Sequence, residues 1–88
     1  MIDLQQYGLD KDDLDFLRMI REDFENQNEV DLKYKEYSFC IEPSGTELSV
    51  VDRNGRLGTY QGFDDLFLRF ILDGRPLIER VKDLEFGE

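Results

Sequence analysis

The chain has 88 residues, 40% hydrophobic and 12% aromatic, enough for one hydrophobic core and too few for two, so we expect residues 1–88 to form a single domain. Its 21 acidic and 11 basic residues give a net charge of −10, which disfavours direct binding to nucleic acid or to an anionic membrane. No apolar run approaches the roughly 20 residues of a transmembrane helix, and the amino-terminal segment lacks the basic and apolar parts of a secretory signal, so a cytoplasmic protein is expected.

Residues 1–8 are either a short turn or a frayed end, and the first predicted helix follows them. Asp10 is placed to cap this helix, and Asp12 and Asp13 lie in its first turn, where the helix dipole favours acids. Apolar residues then recur at spacings of three and four, which predicts an amphipathic helix with one core-facing stripe: Leu14, Leu17, Ile20 and Phe24. The helix is expected to end near residues 26–28, where Asn and Gln accumulate.

Beyond Glu29 the apolar spacing changes to two, which is typical of strands. Apolar residues alternate first in even and then in odd register: Val30, Leu32 and Tyr34, then Tyr37, Phe39 and Ile41. A bulge or bend at Lys35-Glu36 must therefore switch the faces. The main strand is expected over Tyr37 to Glu42, with residues 43–46 as its turn and Glu47 to Asp52 as the returning strand.

The register of the two hairpins can also be predicted from facing residues. We expect Glu42 to face Glu47 in the first hairpin. The second turn, residues 52–55, is either a two-residue Asn-Gly turn or a type I turn with its glycine left-handed in a bulge. Only the bulged register places Tyr60 opposite Leu48, on the face of the other large side chains, so we prefer it.

A second helix is predicted after Gly62, with Asp64 as its cap and an end at Asp73-Gly74. Its core-facing residues are expected to be Phe63, Leu66, Phe67, Phe70 and Ile71. Pro76 suits the first position of a third short helix that runs to about Leu84, with Leu77 and Val81 inward. The order α-β-β-β-α-α predicts an α+β fold, in which helices cover one face of a three-stranded antiparallel meander.

The sequence offers no catalytic, cofactor or metal motif. It has no histidine, which removes the commonest general base and the usual nitrogen ligand of zinc. The single cysteine, Cys40, lies mid-strand near Glu42, an environment that should raise the thiol pKa and leave the thiol unreactive. The adjacent acids Asp12-Asp13 and Asp64-Asp65 lie at helix starts, where capping alone accounts for them. We therefore expect a protein that is not an enzyme and uses no cofactor or metal.

Negative charge is concentrated in the first third of the chain. Residues 1–31 have ten acids and three bases, a net charge of −7, whereas residues 32–62 are neutral and residues 63–88 have −3. Acids line the side of the first helix opposite its apolar stripe, and two apolar residues lie beside them. Exposed apolar groups in a negative field describe a surface for a basic protein partner. The predicted partner-binding residues are Asp12, Asp15, Phe16, Met19, Glu22, Asp23 and Glu25.

The alternative interpretation of this helix is an ordinary solvated face. Arg18 can pair with Asp15 and Glu22 on the helix surface, and such pairs stabilise a helix by about 0.3–0.5 kcal/mol each. In that case the acids would serve solubility and would not mark a site.

In length, acidity and α-β-β-β-α-α order the chain resembles the small phage-encoded anti-CRISPR proteins that occupy the DNA-binding groove of an RNA-guided nuclease. The resemblance covers the whole chain in outline and carries over no individual binding residue. It implies a mechanism in which carboxylates placed like phosphates satisfy the arginines and lysines of the nuclease and exclude DNA.

Two functional hypotheses follow. The first is a non-enzymatic, acidic protein-binding domain that acts as an inhibitor by mimicking nucleic acid at a basic site of a nuclease. The second is a small structural or assembly domain that forms a homodimer through spare apolar groups: Val51, Leu57, Leu68 and Leu72.

Overall fold

The computed structural model describes residues 3–87, which form two α-helices, two 3-10 helices and seven strands. In chain order these are the first 3-10 helix (Leu4–Tyr7), α1 (Lys11–Glu25), β1 (Val30–Tyr34), β2 (Tyr37–Ser44), β3 (Glu47–Asp52), β4 (Gly55–Gln61), α2 (Phe63–Arg69), β5 (Ile71–Leu72), β6 (Arg75–Pro76), the second 3-10 helix (Leu77–Asp83) and β7 (Leu84–Phe86). The α+β class is confirmed. Of the predicted turn or frayed end at residues 1–8, residues 1 and 2 lie outside the described residues.

The strands form a five-stranded antiparallel sheet of order β4-β3-β2-β1-β7, and β5 and β6 form a separate two-stranded ribbon. The predicted meander corresponds to β2, β3 and β4. The prediction of only three strands was wrong, because β1 and β7 extend the sheet on the side of β2.

The change of register after Tyr34 marks a hairpin, where a bulge or bend within one strand was expected. β1 and β2 pair antiparallel with Tyr34 facing Tyr37, so only Lys35 and Glu36 form the turn. Lys35 adopts φ 55, in the left-handed region that tight turns require. Because the chain reverses across two residues, the even-numbered apolar residues of β1 and the odd-numbered apolar residues of β2 point to the same face of the sheet.

The first predicted hairpin register was wrong by two residues. Ser44 faces Glu47 and Glu42 faces Ser49, so β2 continues through Pro43 and the turn shortens to Gly45 and Thr46. The side chain of Gln27 binds this turn from outside: its Nε2 donates to Gly45 O over 2.9 Å, and its Oε1 accepts from Gly45 N over 2.7 Å. This long-range clamp stabilises the tighter turn and has no local sequence signal.

The second hairpin has the predicted facing residues. Leu48 faces Tyr60 and Val50 faces Gly58. The bulge lies further from the turn than expected, at Leu57, because Val51 pairs with Arg56 and the register shifts between Val50 and Val51.

The core lies between one face of the sheet and the helices. It contains the inward residues of the strands together with residues from α1, α2 and the second 3-10 helix, among them Ile20, Leu32, Ile41, Val50, Leu66, Phe67 and Leu77. Leu14 was predicted to belong to the core stripe of α1, but it is 40% exposed. The stripe therefore begins one turn later, at Leu17.

The carboxyl-terminal third departs most from the prediction. α2 ends at Arg69, and the chain turns back through β5 and β6, so Ile71 is 56% exposed where a buried position was expected. The cap residue of α2 is Gly62, so the prediction of Asp64 as the cap was wrong; Asp64 lies in the first turn. The third helix is a 3-10 helix that ends before Leu84, which begins β7. For this third helix, apolar spacing predicted the burial of Leu77 and Val81 but not the type of helix, because a stretch of seven residues is too short for its spacing to separate the two kinds.

Candidate protein-binding surface

The amino-terminal end of α1 is fixed by a capping box and an ion pair. Asp10 Oδ1 accepts a 2.9 Å hydrogen bond from Asp13 N, and Asp13 Oδ2 accepts one of 3.1 Å from Asp10 N. Lys82 Nζ lies 2.6 Å from Asp13 Oδ2 and 3.6 Å from Asp10 Oδ2. The hydrogen bond from Lys82 lowers the pKa of Asp13, and the same contact raises the pKa of Lys82. Asp13 is therefore held within the domain, whereas Asp10 shares the same lysine and stays exposed.

One flank of α1 is attached to α2. Arg21 Nη2 lies 3.8 Å from Asp64 Oδ1, and its guanidinium carbon lies 4.2 Å from the centre of the Phe63 ring. Together with the burial of Leu17, Ile20 and Phe24, these contacts fix which side of α1 faces outward.

The outward side bears the predicted partner-binding residues: Asp12, Asp15, Phe16, Met19, Glu22, Asp23 and Glu25. We call them the α1 face. Asp15 pairs with Arg18 at 3.4 Å, an exposed contact between neighbouring turns. Within residues 3–87 no lysine or arginine lies within ion-pair distance of Asp12, Glu22, Asp23 or Glu25. The predicted pairing of Arg18 with Asp15 is confirmed, but the pairing with Glu22 does not occur.

The two apolar residues of the α1 face differ in exposure. Met19 is 49% exposed. Phe16 is half-buried, because it packs against the core, and its ring centroid lies 4.7 Å from that of Phe86 on β7. Phe86 is itself 40% exposed, so the two rings form one continuous apolar area with an open side. Sequence reasoning missed Phe86; the alternation of Leu84 and Phe86 was the available signal.

The uncovered face of the sheet holds a second group of polar side chains around Cys40. One ligand atom each from Glu29, Cys40 and Glu42 lies within 4.8 Å of the others, and the thiol lies 3.9 Å from Glu29 Oε2. Burial, followed by the hydrogen bond and charge of Asp31 and then by the charges of Glu29 and Glu42, raises the pKa of Cys40 to about 12. The predicted direction of this pKa shift is confirmed. A metal ion at this position would have to displace a tightly held proton.

Comparison with protein-family models, with curated proteins and with solved structures found no significant match. Among the described residues, no helix combines the length and the apolar character needed to cross a membrane.

Proposed function

We propose that the protein is a non-enzymatic binding domain of the cytoplasm whose α1 face engages a basic site on another protein, and that it inhibits a nuclease by mimicking nucleic acid there. The observation that supports this proposal is the division of the acids on α1. Asp10 and Asp13 share an ion pair with Lys82, whereas four acids of the α1 face have no cation partner among the described residues and lie beside exposed Met19.

The spacing of these charges suits the proposed mimicry. Asp12 and Glu25 are 13 residues apart, which is about 20 Å along an α-helix. Five carboxylates over that length give about one negative charge per 4 Å, close to the roughly 3.4 Å per phosphate along one DNA strand. A cleft whose lysines and arginines are arranged for a phosphate backbone would therefore find a comparable average density of negative charge along α1, although the acids point in several directions and Arg18 lies among them.

The test is charge reversal on the α1 face. We expect D15K/E22K/E25K to lower affinity for a guide-loaded RNA-guided nuclease by about 100-fold near 0.1 M salt, and to abolish competition with target DNA. Binding of the unchanged protein should weaken steeply as salt rises, because screening acts on exposed charges. Isothermal titration calorimetry and a DNA competition assay measure both effects.

The matched control is E36K/E47K/E85K, which changes net charge equally at exposed positions of other elements. This control should retain most of the affinity. Equal losses in the two triple variants would mean that net charge alone governs binding, and no DNA competition by the unchanged protein would contradict inhibition of that nuclease.

Homodimer formation is the second candidate function, and fewer of the predicted apolar residues are exposed for it than the sequence indicated. Leu72 is 6% exposed and belongs to the core, which removes it from the expected dimer patch. Leu57 and Ile71, 46% and 56% exposed, line one groove with Tyr60. A dimer through this groove would persist at high salt in sedimentation experiments, whereas binding through the α1 face would not.

A further inference from the structure

We propose that the flank of α1 beside β7 binds a basic amphipathic helix of the partner protein. This inference rests on the proposed function, since it specifies which element of a basic partner the α1 face receives. Apolar residues at the centre of the α1 face would let it distinguish between basic partners, which charge alone would not do.

Four residues of the α1 face form a single row along the helix: Asp12, Phe16, Met19 and Asp23. Their spacings of four, three and four place them on one ridge of an α-helix. The row is about 16 Å long and has an acid at each end and two apolar residues between. Such a row is complementary to a segment with apolar residues in its middle and a cation at each end.

Among residues 3–87, Met19 in this row and Phe86 beside it remain partly exposed. α2 lies on the other flank of α1, where Arg21 contacts Phe63 and Asp64. β7 is the last strand of the sheet, so no further strand of the described chain lies beyond it. Phe86 contacts Phe16 from the end of β7 and remains 40% exposed. We call this flank of α1 together with Phe86 the step; Met19 and Phe86 are its two half-exposed apolar residues.

A helix fits this step better than the other occupants. It would extend the helical layer beside α1, bury its apolar residues against Met19 and Phe86, and bring lysines or arginines to Asp12 and Asp23. A second copy of this chain would place its own acids against this row, and nucleic acid would be repelled in the same way. A strand added to β7 would find an edge only three residues long, with few free backbone groups.

The probe is a synthetic 15-residue helix-forming peptide with two leucines one turn apart in its middle and two arginines 11 residues apart. A scrambled peptide of identical composition is its control. We expect fluorescence anisotropy to show the patterned peptide binding about tenfold more tightly than the scrambled one at both 50 and 300 mM NaCl, since burial of apolar area is insensitive to screening.

The informative variant is Met19→Gln, because Met19 is half-exposed and lies outside the core. It should weaken the patterned peptide about fivefold at both salt concentrations and leave the salt dependence unchanged. Leu68→Gln, a matched change at a residue 41% exposed on α2, should leave binding unaltered.

Each result decides between the two proposals. If the scrambled peptide binds equally, if Met19→Gln has no effect, or if isotope-edited infrared spectra show the bound peptide as a strand, the helix-binding step is wrong. In those cases the charge-dependent α1 face still stands. If neither peptide binds even at 50 mM NaCl, and D15K/E22K/E25K does not alter nuclease binding, the proposed function itself fails.

Discussion

At Cys40 the residues of three segments determine the chemistry of one side chain. Asp31 faces Cys40 across the β1–β2 ladder, Glu42 lies two residues along its own strand, and Glu29 precedes β1. Burial and these negative charges all favour the neutral thiol over the thiolate. Burial and the nearby carboxylates, Asp31 foremost, therefore raise the pKa of the thiol, so that it stays protonated at alkaline pH values at which a free thiol ionises.

We expect Cys40 to react slowly with iodoacetamide in the folded protein. A shift of the pKa from 9.0 to about 12 lowers the thiolate fraction at pH 8 about a thousandfold. Asp31→Asn should speed alkylation about tenfold, because it removes one negative charge that raises the pKa. Mass spectrometry over pH 7–10 measures the rate. A rate equal to that of free cysteine would contradict the described surroundings of the thiol.

The raised pKa also sets a direction for stability. Above about pH 9 the unfolded thiol loses its proton while the folded one keeps it, so the unfolded state binds fewer protons and stability falls as pH rises. Below that range this group contributes no pH dependence.

At the scale of elements, different sides of α1 contact different parts of the domain, and one side remains exposed. Its amino-terminal end is tied to the second 3-10 helix through Lys82, one flank is tied to α2 through Arg21, and three residues enter the core. The acids of the α1 face are consequently held on a rigid support, which fixes their positions relative to the cations of a partner.

The buried stripe of α1 begins at Leu17 and not at Leu14, and substitutions at these two residues can test this. Leu17→Ala should lower the free energy of unfolding by about 2–5 kcal/mol, because Leu17 is 2% exposed and its removal leaves a cavity. Leu14→Ala should cost less than about 1 kcal/mol, since Leu14 is 40% exposed. Urea denaturation followed by circular dichroism compares them. Similar losses at both positions would place Leu14 in the core after all.

Element-scale features were predictable where local rules decide them. The Asp10 cap, the end of α1 and the pairing of Leu48 with Tyr60 all follow from short-range spacing and turn chemistry. The shorter turn at Gly45 depends on Gln27, 18 residues away, and the short α2 depends on the β5–β6 ribbon. Long-range contacts of this kind leave no periodic signal in a single sequence.

The candidate site was predictable to a similar degree. The helical projection placed the acids and Met19 on one side of α1, as the structure has them. It could not place Phe86 beside Phe16, because those residues are 70 positions apart and meet only through the pairing of β7 with β1.

At the scale of the whole molecule, an excess of negative charge opposes compactness. The net charge is −10, and the described ion pairs are mostly exposed, so they offset little of the repulsion among the acids of α1. Screening by salt should therefore favour the folded state.

We expect the Tm to rise by about 4–8 °C between 10 and 300 mM NaCl, the equivalent of about 1 kcal/mol for a domain of this size. Glu22→Gln combined with Glu25→Gln should show a smaller rise, because two repelling charges are gone. Differential scanning calorimetry provides the measurement. A Tm that falls with salt would show that the ion pairs outweigh the repulsion.

The position of β7 in the sheet affects how the chain can fold during translation. β1 joins β2 through two residues, but its other neighbour lies about 50 residues later, since Tyr34 pairs with Leu84. At a translation rate of about 5–20 residues per second, the outer edge of β1 waits about 3–10 s for its partner strand. During that interval a growing chain with its first hairpins formed presents an unpaired strand edge, the kind of surface that recruits chaperones or promotes aggregation between nascent chains.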